Sequence, residues 1–417
     1  MTVTKPTRAI AALSLVAALG LAGCSGGSDA DAPADDAASA GSDQAASTTL
    51  TVWVDSERTS SLQGAADAYE EKTGVAVDIV GKDTGDIKDD FIQQVPTGEG
   101  PDIAMGAHDW LGELTTNGVV APLELGDAAG DYLDVAINAA TYDGTVYMLP
   151  YAVENIAVLR NQELVPEQPS SFDEMIAAGN DAGLESPFIV EQGAEGDPYH
   201  LYPFQTAFGA QVFGTDDEGY DATDLQIGNA GGEEFAAWLG EHGKNGSGEF
   251  NTDVDGDIAK QAFLDGDAAF WLTGPWNVSA AVDAGIDVAI DPIPSPTDEV
   301  AAPFAGVKGF FLSAESENKV AATDFLVNYI GTEEAQLALF EAGNILPALS
   351  AAAETASDDP IIAGFATVGE NAVPMPAVPA MGAVFEYWGI AEAEIIGGSE
   401  PVERWQKLAA DIEAAIG

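Results

Sequence analysis

Asn251, Asp253, Asp255 and Asp257 alternate along one short run with Gly256, the residue types of an oxygen-donor loop for calcium. Such a loop needs a bidentate Glu at its twelfth position, and counted from Asn251 that position is Ala262. The run therefore reads as an acidic cap ahead of a helix starting near Ile258. His108, His200 and His242 show no metal-ligand spacing. No nucleophile elbow, P-loop or dinucleotide fingerprint occurs. Cys24 is the only cysteine, so neither a disulfide framework nor a cysteine-rich metal site is available. What the chain has in quantity is carboxylate: 70 Asp and Glu against 13 Lys and Arg, a formal net charge of −57. That balance argues against nucleic acid as a partner and against docking to anionic lipid through a basic face, because both need clustered cations. It reads as a heavily solvated, self-repelling surface.

Carboxylates act only where a folded body places them. Hydrophobic residues make up 46% of the 417, enough for a sizeable core, and a chain this long is expected to divide into two domains. Residues 50–54 form a short apolar, β-branched run, a predicted buried strand. Leu62, Ala65, Ala66 and Tyr69 follow at helical spacing over 60–72, and Gly74 stands where that helix would end. Strand signals return at 75–80 and 101–105, with a second helix between them around Ile87 and Phe91. This alternation predicts an α/β fold with a mostly parallel sheet covered by helices on both faces. Such sheets take ligands at the carboxyl ends of their strands. The loops at 55–59 and 106–110 are therefore the first places to look for a site. Strands are expected again at 157–159, 187–190, 268–272 and 307–313, helices at 233–241, 258–264 and 321–329, and a mostly helical stretch beyond Pro360. No internal stretch beyond the N-terminus is long and apolar enough to span a bilayer.

The first 48 residues carry a different message. Lys5 and Arg8 precede an apolar run over 9–22, which ends in Leu21-Ala22-Gly23-Cys24. A basic start, a short apolar segment and small residues before a Cys resemble a bacterial lipoprotein signal, expected over 1–23 with lipidation at Cys24. Residues 24–48 offer almost nothing that could anchor a fold and are expected to be a flexible tether. An anchor and a leash place the body outside the cytoplasmic membrane, held to its outer face by lipid alone.

Thr97-Gly98-Glu99-Gly100-Pro101-Asp102 followed by Ala107-His108-Asp109 resembles the maltose/maltodextrin-binding proteins of bacterial sugar importers. Further matches follow in chain order at Pro150-Tyr151-Ala152-Val153-Glu154, Asp197-Pro198-Tyr199, Gly274-Pro275-Trp276, Met375-Pro376 and Val378-Pro379-Ala380-Met381. The resemblance covers residues 49–417. It implies a two-lobed periplasmic-binding-protein type II fold, with a hinge and a ligand cleft between the lobes. Carried over, the first lobe is 49–153 plus 307–352 and the second 154–306 plus 353–417. It implies no catalytic activity and no cofactor. The partners it implies are a neutral oligosaccharide of the maltodextrin type and the permease subunits of an ABC importer, with the binding protein itself a monomer.

An oligosaccharide offers hydroxyls and, on each ring, an apolar face of C–H groups. A cleft that holds it needs flat aromatic faces and acceptors for desolvated hydroxyls, and charge-assisted hydrogen bonds from carboxylates are about twice as strong as neutral ones. The family's sugar-contacting positions correspond to Glu57 and Arg58, Asp109, Glu154, Asp197, Tyr199, Trp276, Met375 and Phe385. Each has a plainer alternative: a surface charge couple for Glu57 and Arg58, a helix cap for Asp109, a surface acid for Glu154. For Tyr199, Trp276 and Phe385 the alternative is ordinary packing. His108 and Trp53 are read as structural. Where relatives often present Trp in the first lobe this chain has Gly106, and Trp110 follows Asp109 where Arg is common, so Trp110 joins the candidates as a shifted aromatic face. Two other functions remain open on the residues: a binder of a different solute (another sugar, a peptide or a cation), and a surface glycoside hydrolase, because glycosidases also pair carboxylates beside aromatic platforms.

Overall fold

The computed structural model describes residues 49–216 and 219–417. The signal segment and tether expected over 1–48, with Cys24, lie outside the described residues. The strands used below are β1 (Thr49–Asp55), β2 (Ala76–Lys82), β3 (Ile103–Ala107), β4 (Val120–Ala121), β5 (Met148–Asn155), β6 (Ala157–Asn161), β7 (Ile189–Val190), β8 (Phe270–Thr273), β9 (Val288–Asp291), β10 (Phe304–Ser313), β11 (Leu346–Pro347) and β12 (Val373–Pro374). Two sheets hold them. The first runs β11-β5-β10-β3-β1-β2, with β4 and β12 also pairing onto β10; the second runs β9-β6-β8-β7.

Local sequence explains the opening unit. Leu50, Val52 and Val54 in β1 are fully buried, and β1 pairs in parallel with β2 from Thr49↔Ala76 to Asp55↔Lys82 and with β3 at Val52↔Ile103. Helix α1 (Gln63–Thr73) turns Ala66 and Tyr69 into the core and stops at Gly74, whose φ of 76° is the left-handed region that glycine enters without cost. Helix α2 (Thr84–Gln94) is capped by Asp83, which accepts from the Gly85 N–H, and buries Ile87 and Phe91. Asp102, next in the chain, closes this layer: its carboxylate accepts from the Thr51 N–H at 2.9 Å, from Ser316 Oγ and from Asn318 Nδ2.

Three expectations change. The first sheet is mixed rather than mostly parallel, because β10 lies antiparallel to both β3 and β5, as at Phe310↔Met105 and Val307↔Val153. The helix expected over 60–72 begins as a 3₁₀ turn at Thr59–Leu62. The helix expected over 321–329 is α-helical only at Lys319–Phe325 and continues as a π-helix, Leu326–Ile330.

Each sheet has its own core. One core draws on Leu50 to Val153 and on Ala305 to Ala352; the other draws on Ile156 to Phe304 and on Met381 to Ile412. The second sheet is fixed by a buried ion pair, Arg160 of β6 with Asp291 of β9, bonded Nε to Oδ2 at 2.5 Å and Nη2 to Oδ1 at 3.2 Å. Arg160 Nη1 also donates to the carbonyls of Val165 and Pro166, so the charge is hydrogen-bonded as well as paired. Helices α3 (Pro198–Ala207), α4 (Gly256–Asp265), α5 (Met381–Ile396) and α6 (Pro401–Ile416) pack around this half. The acidic run at 251–257 is the cap expected from the sequence, with Asp255 Oδ1 accepting from the Ile258 N–H at 2.9 Å.

The chain passes between the cores three times, and the strands at the passages touch. β5 ends at Asn155 and β6 begins at Ala157, while β10 and β12 pair at Phe304↔Val373 and Ala305↔Pro374. His108 joins the same region. Its Nδ1 accepts from the Val307 N–H at 3.1 Å and its Nε2–H donates to the Met375 carbonyl at 3.0 Å. It is the structural residue that the sequence suggested, and Trp53 is likewise buried, with Lys82 Nζ 3.7 Å above its ring.

Candidate functional site

The loop after β1 presents Glu57 to solvent and turns Arg58 inward. Arg58 Nη1 donates to Asp55 Oδ2 at 2.6 Å, and the Arg58 backbone N–H donates to Asp55 Oδ1 at 3.0 Å. The guanidinium lies against Gly343, where a Cβ would come within 2.5 Å of Nη2. Of the expected acidic–basic couple, Glu57 therefore faces outward, unpaired among the described residues, while the Arg58 charge is balanced by Asp55.

After β3, residues His108–Trp110 form a 3₁₀ turn whose cap is Ala107, so Asp109 sits inside the turn and not at its cap. The Trp110 ring folds back over Gly106. A Cβ at Gly106 would lie 2.3 Å from that ring, and the ring stacks on Phe311 with centroids 6.5 Å apart and planes at 26°. Glycine at 106 is what lets the indole lie there. The second sheet repeats the device. Trp276 follows β8 on the turn Pro275–Asn277 and folds over Gly274, where a Cβ would lie 2.1 Å from its ring. Trp276 is 49% exposed, an unusual state for so large an apolar side chain.

Glu154 lies near the end of β5 with Oε1 3.4 Å from Lys308 Nζ on the neighbouring β10. Glu57, Arg58, Trp110, Glu154 and Trp276 all line one cavity of about 430 Å³. Four of them come from the elements of the first sheet and Trp276 from the second. Trp110 also borders an adjoining groove of about 360 Å³ that contains Asp109, Met375 and Phe385. Among the described residues Asp197 and Tyr199 line neither space. Tyr199 is half-buried and stacks on Phe304 at 6.2 Å. Its phenol is held well above the usual range, by burial first and then by the carboxylates of Glu154, Asp197 and Asp109. The Asp197 carboxylate is committed elsewhere: as cap of α3 it accepts from the His200 N–H at 3.2 Å and from His200 Nδ1 at 2.7 Å.

The cavity also contains residues that the sequence reading did not single out. Asp55, Met105, Tyr151 and Lys308 line it. Tyr151 is buried, with its hydroxyl 3.6 Å from Met105 Sδ. Lys308 is the lone cation in the apolar run of β10, an irregularity that could have marked it. The arrangement suits a polar ligand: three aromatic rings, three acids, a guanidinium and an amine border one space.

The family described as bacterial extracellular solute-binding protein matches residues 64–364. A galactooligosaccharide-binding protein of Bacillus subtilis (strain 168) is 27% identical over 365 residues, 83% of this chain and 83% of that one. A maltooligosaccharide ABC transporter solute-binding lipoprotein of Streptococcus pneumoniae serotype 4 is 28% identical over 395 residues, 91% of this chain and 89% of that one. The solved maltotriose-binding protein of Thermus thermophilus, bound with maltotriose, is 31% identical, with 88% of this chain and all of that chain covered and a TM-score of 0.70. The fold is therefore two-lobed, and the chain belongs to the bacterial extracellular solute-binding proteins.

Proposed function

We propose that this protein captures a neutral oligosaccharide of the maltodextrin type between its lobes, without altering it, and hands it to the permease of an ABC importer. The observation that carries the reading is the shared cavity: Trp276 stands half-exposed on one side, with Glu57 and Trp110 on the other and Glu154 at the crossing between them. An indole covers the C–H face of a sugar ring, and carboxylates accept from its hydroxyls. We assign lobe 1 to 49–153 plus 307–352 and lobe 2 to 154–306 plus 353–417. Because the ligand touches both lobes fully only when they approach, its differential affinity shifts the open–closed equilibrium. Asp109, Met375 and Phe385 extend the site along the adjoining groove for longer chains. Tyr199 completes it from lobe 2, while Arg58 and Asp197 act as positioning residues. Lipidated Cys24 would keep the body, a monomer, at the outer face of the cytoplasmic membrane.

Calorimetric titration with maltotriose tests the assignment. One saturable site is expected, weakened in Trp276→Ala by about 1–3 kcal/mol through lost ring contact. Equal affinity of the variant removes Trp276 from the site. The Bacillus relative favours a second reading, a galacto-oligosaccharide, and the same titration separates the two by which sugar releases heat.

A further inference from the structure

We propose that Glu191 and His200, with Asp197 orienting the imidazole, form a binding site for a first-row divalent transition metal such as Zn²⁺. The site lies in the second lobe, and its argument stands independently of the sugar reading. His200 occupies the first turn of α3 and is 3% exposed. Its Nδ1 lies 2.7 Å from Asp197 Oδ2, a contact in which Nδ1–H donates to the carboxylate, and the neutral ring so held presents its lone pair on Nε2. Nε2 is buried and, among the described residues, has no hydrogen-bond partner. It faces Glu191 Oε1 at 3.4 Å, so two electron-rich atoms point at each other across a short gap. That arrangement is repulsive unless a proton or a metal cation lies between them.

The spacing fits a metal. Ligand atoms about 2.1 Å from a tetrahedral Zn²⁺ sit about 3.4 Å apart. One oxygen of each carboxylate and one ring nitrogen of His200 all fall within 4.8 Å of one another. A carboxylate accepting from the far nitrogen of a ligating imidazole is the arrangement that fixes its tautomer and raises its basicity. The Glu191 carboxylate packs against Gly256, where a Cβ would come within 2.2 Å of Oε2. Burial pushes the Glu191 carboxyl above its ordinary range, a cost that a bound cation offsets. The Glu191 and Asp197 side chains are each 26% exposed, which leaves solvent access for the remaining ligand positions. Mixed nitrogen and oxygen donors favour zinc-like ions over calcium. The His200 ring also packs edge-on to Trp276, 6.3 Å between centroids, so an ion here would stiffen the support of that indole.

The test is titration of the chelator-stripped full chain with Zn²⁺ by calorimetry, and with Co²⁺ followed by its visible absorption. One saturable equivalent with a tetrahedral cobalt spectrum is expected. Glu191→Gln and His200→Gln should each weaken it at least tenfold, and Asp197→Asn by about 10–100-fold. Should His200→Gln fail to fold, the near-isosteric Glu191→Gln carries the test, with its melting curve as control. Loose binding of many equivalents, unchanged in Glu191→Gln, would mean only that the acidic surface attracts cations, and would overturn the proposal. So would an NMR spectrum in which His200 is an imidazolium that Zn²⁺ leaves unaltered.

Discussion

Glu392 is completely buried on α5, and among the described residues neither of its carboxylate oxygens has a hydrogen-bond partner. Burial first, and the nearby Asp197 charge second, hold its carboxyl well above the ordinary 4.5. The folded protein therefore keeps a proton that the unfolded chain releases above about pH 4.5. Its contribution is fully favourable below that pH and is lost as pH rises. Glu392→Gln should unfold later than the parent at pH 8 by about 1–3 kcal/mol, with the gap closing toward pH 4 in urea titrations. His108 works in the opposite sense. Burial lowers its pKa from 6.5, so the stability it confers is present above that value and lost as pH falls. At this scale the sequence carried residue types better than residue postures. Gly274-Pro275-Trp276 marked Trp276 as a candidate stacking ring through the family resemblance, yet nothing in the sequence said that glycine is there to make room for the indole. Asp197 was legible only as a position where the family resemblance places a sugar-contacting acid. Its commitment to His200 depends on a side-chain rotamer and on helix geometry, which spacing does not encode.

Among the elements, the second sheet rests on a contact between residues 131 positions apart, Arg160 with Asp291. Removing one partner strands the other charge in the core. Asp291→Ala should therefore cost about 3–5 kcal/mol in chemical denaturation, whereas replacing both partners with apolar residues of similar size should cost far less. Strands β1, β2 and β3 and helices α1 and α2 could be read from apolar runs, spacing and the stop at Gly74, because those signals are local. The antiparallel entry of β10 could not be read, since an apolar run such as Phe304–Ser313 is equally suited to either direction. The π-helical turn at Leu326–Ile330 also escaped, as side-chain periodicity hardly distinguishes it from an α-helix over five residues.

Across the whole molecule, a net charge of −57 makes the folded state repel itself. Raising ionic strength from near zero to 0.15 M brings the Debye length to about 8 Å, which should raise the melting temperature, while a fall would show that paired surface charges dominate instead. The presence of two cores was legible because length and alternating elements both pointed to it, and the wider resemblance supplied the cleft. The central claim is that one sugar is shared between the lobes. A crystal structure of the protein grown with maltotriose tests it most directly. The account predicts a ring of the sugar stacked on Trp276, with its hydroxyls bonded to Glu57 from the opposite lobe and to Glu154 at the crossing between the lobes. A sugar seated on one lobe alone, or away from Trp276, would contradict it.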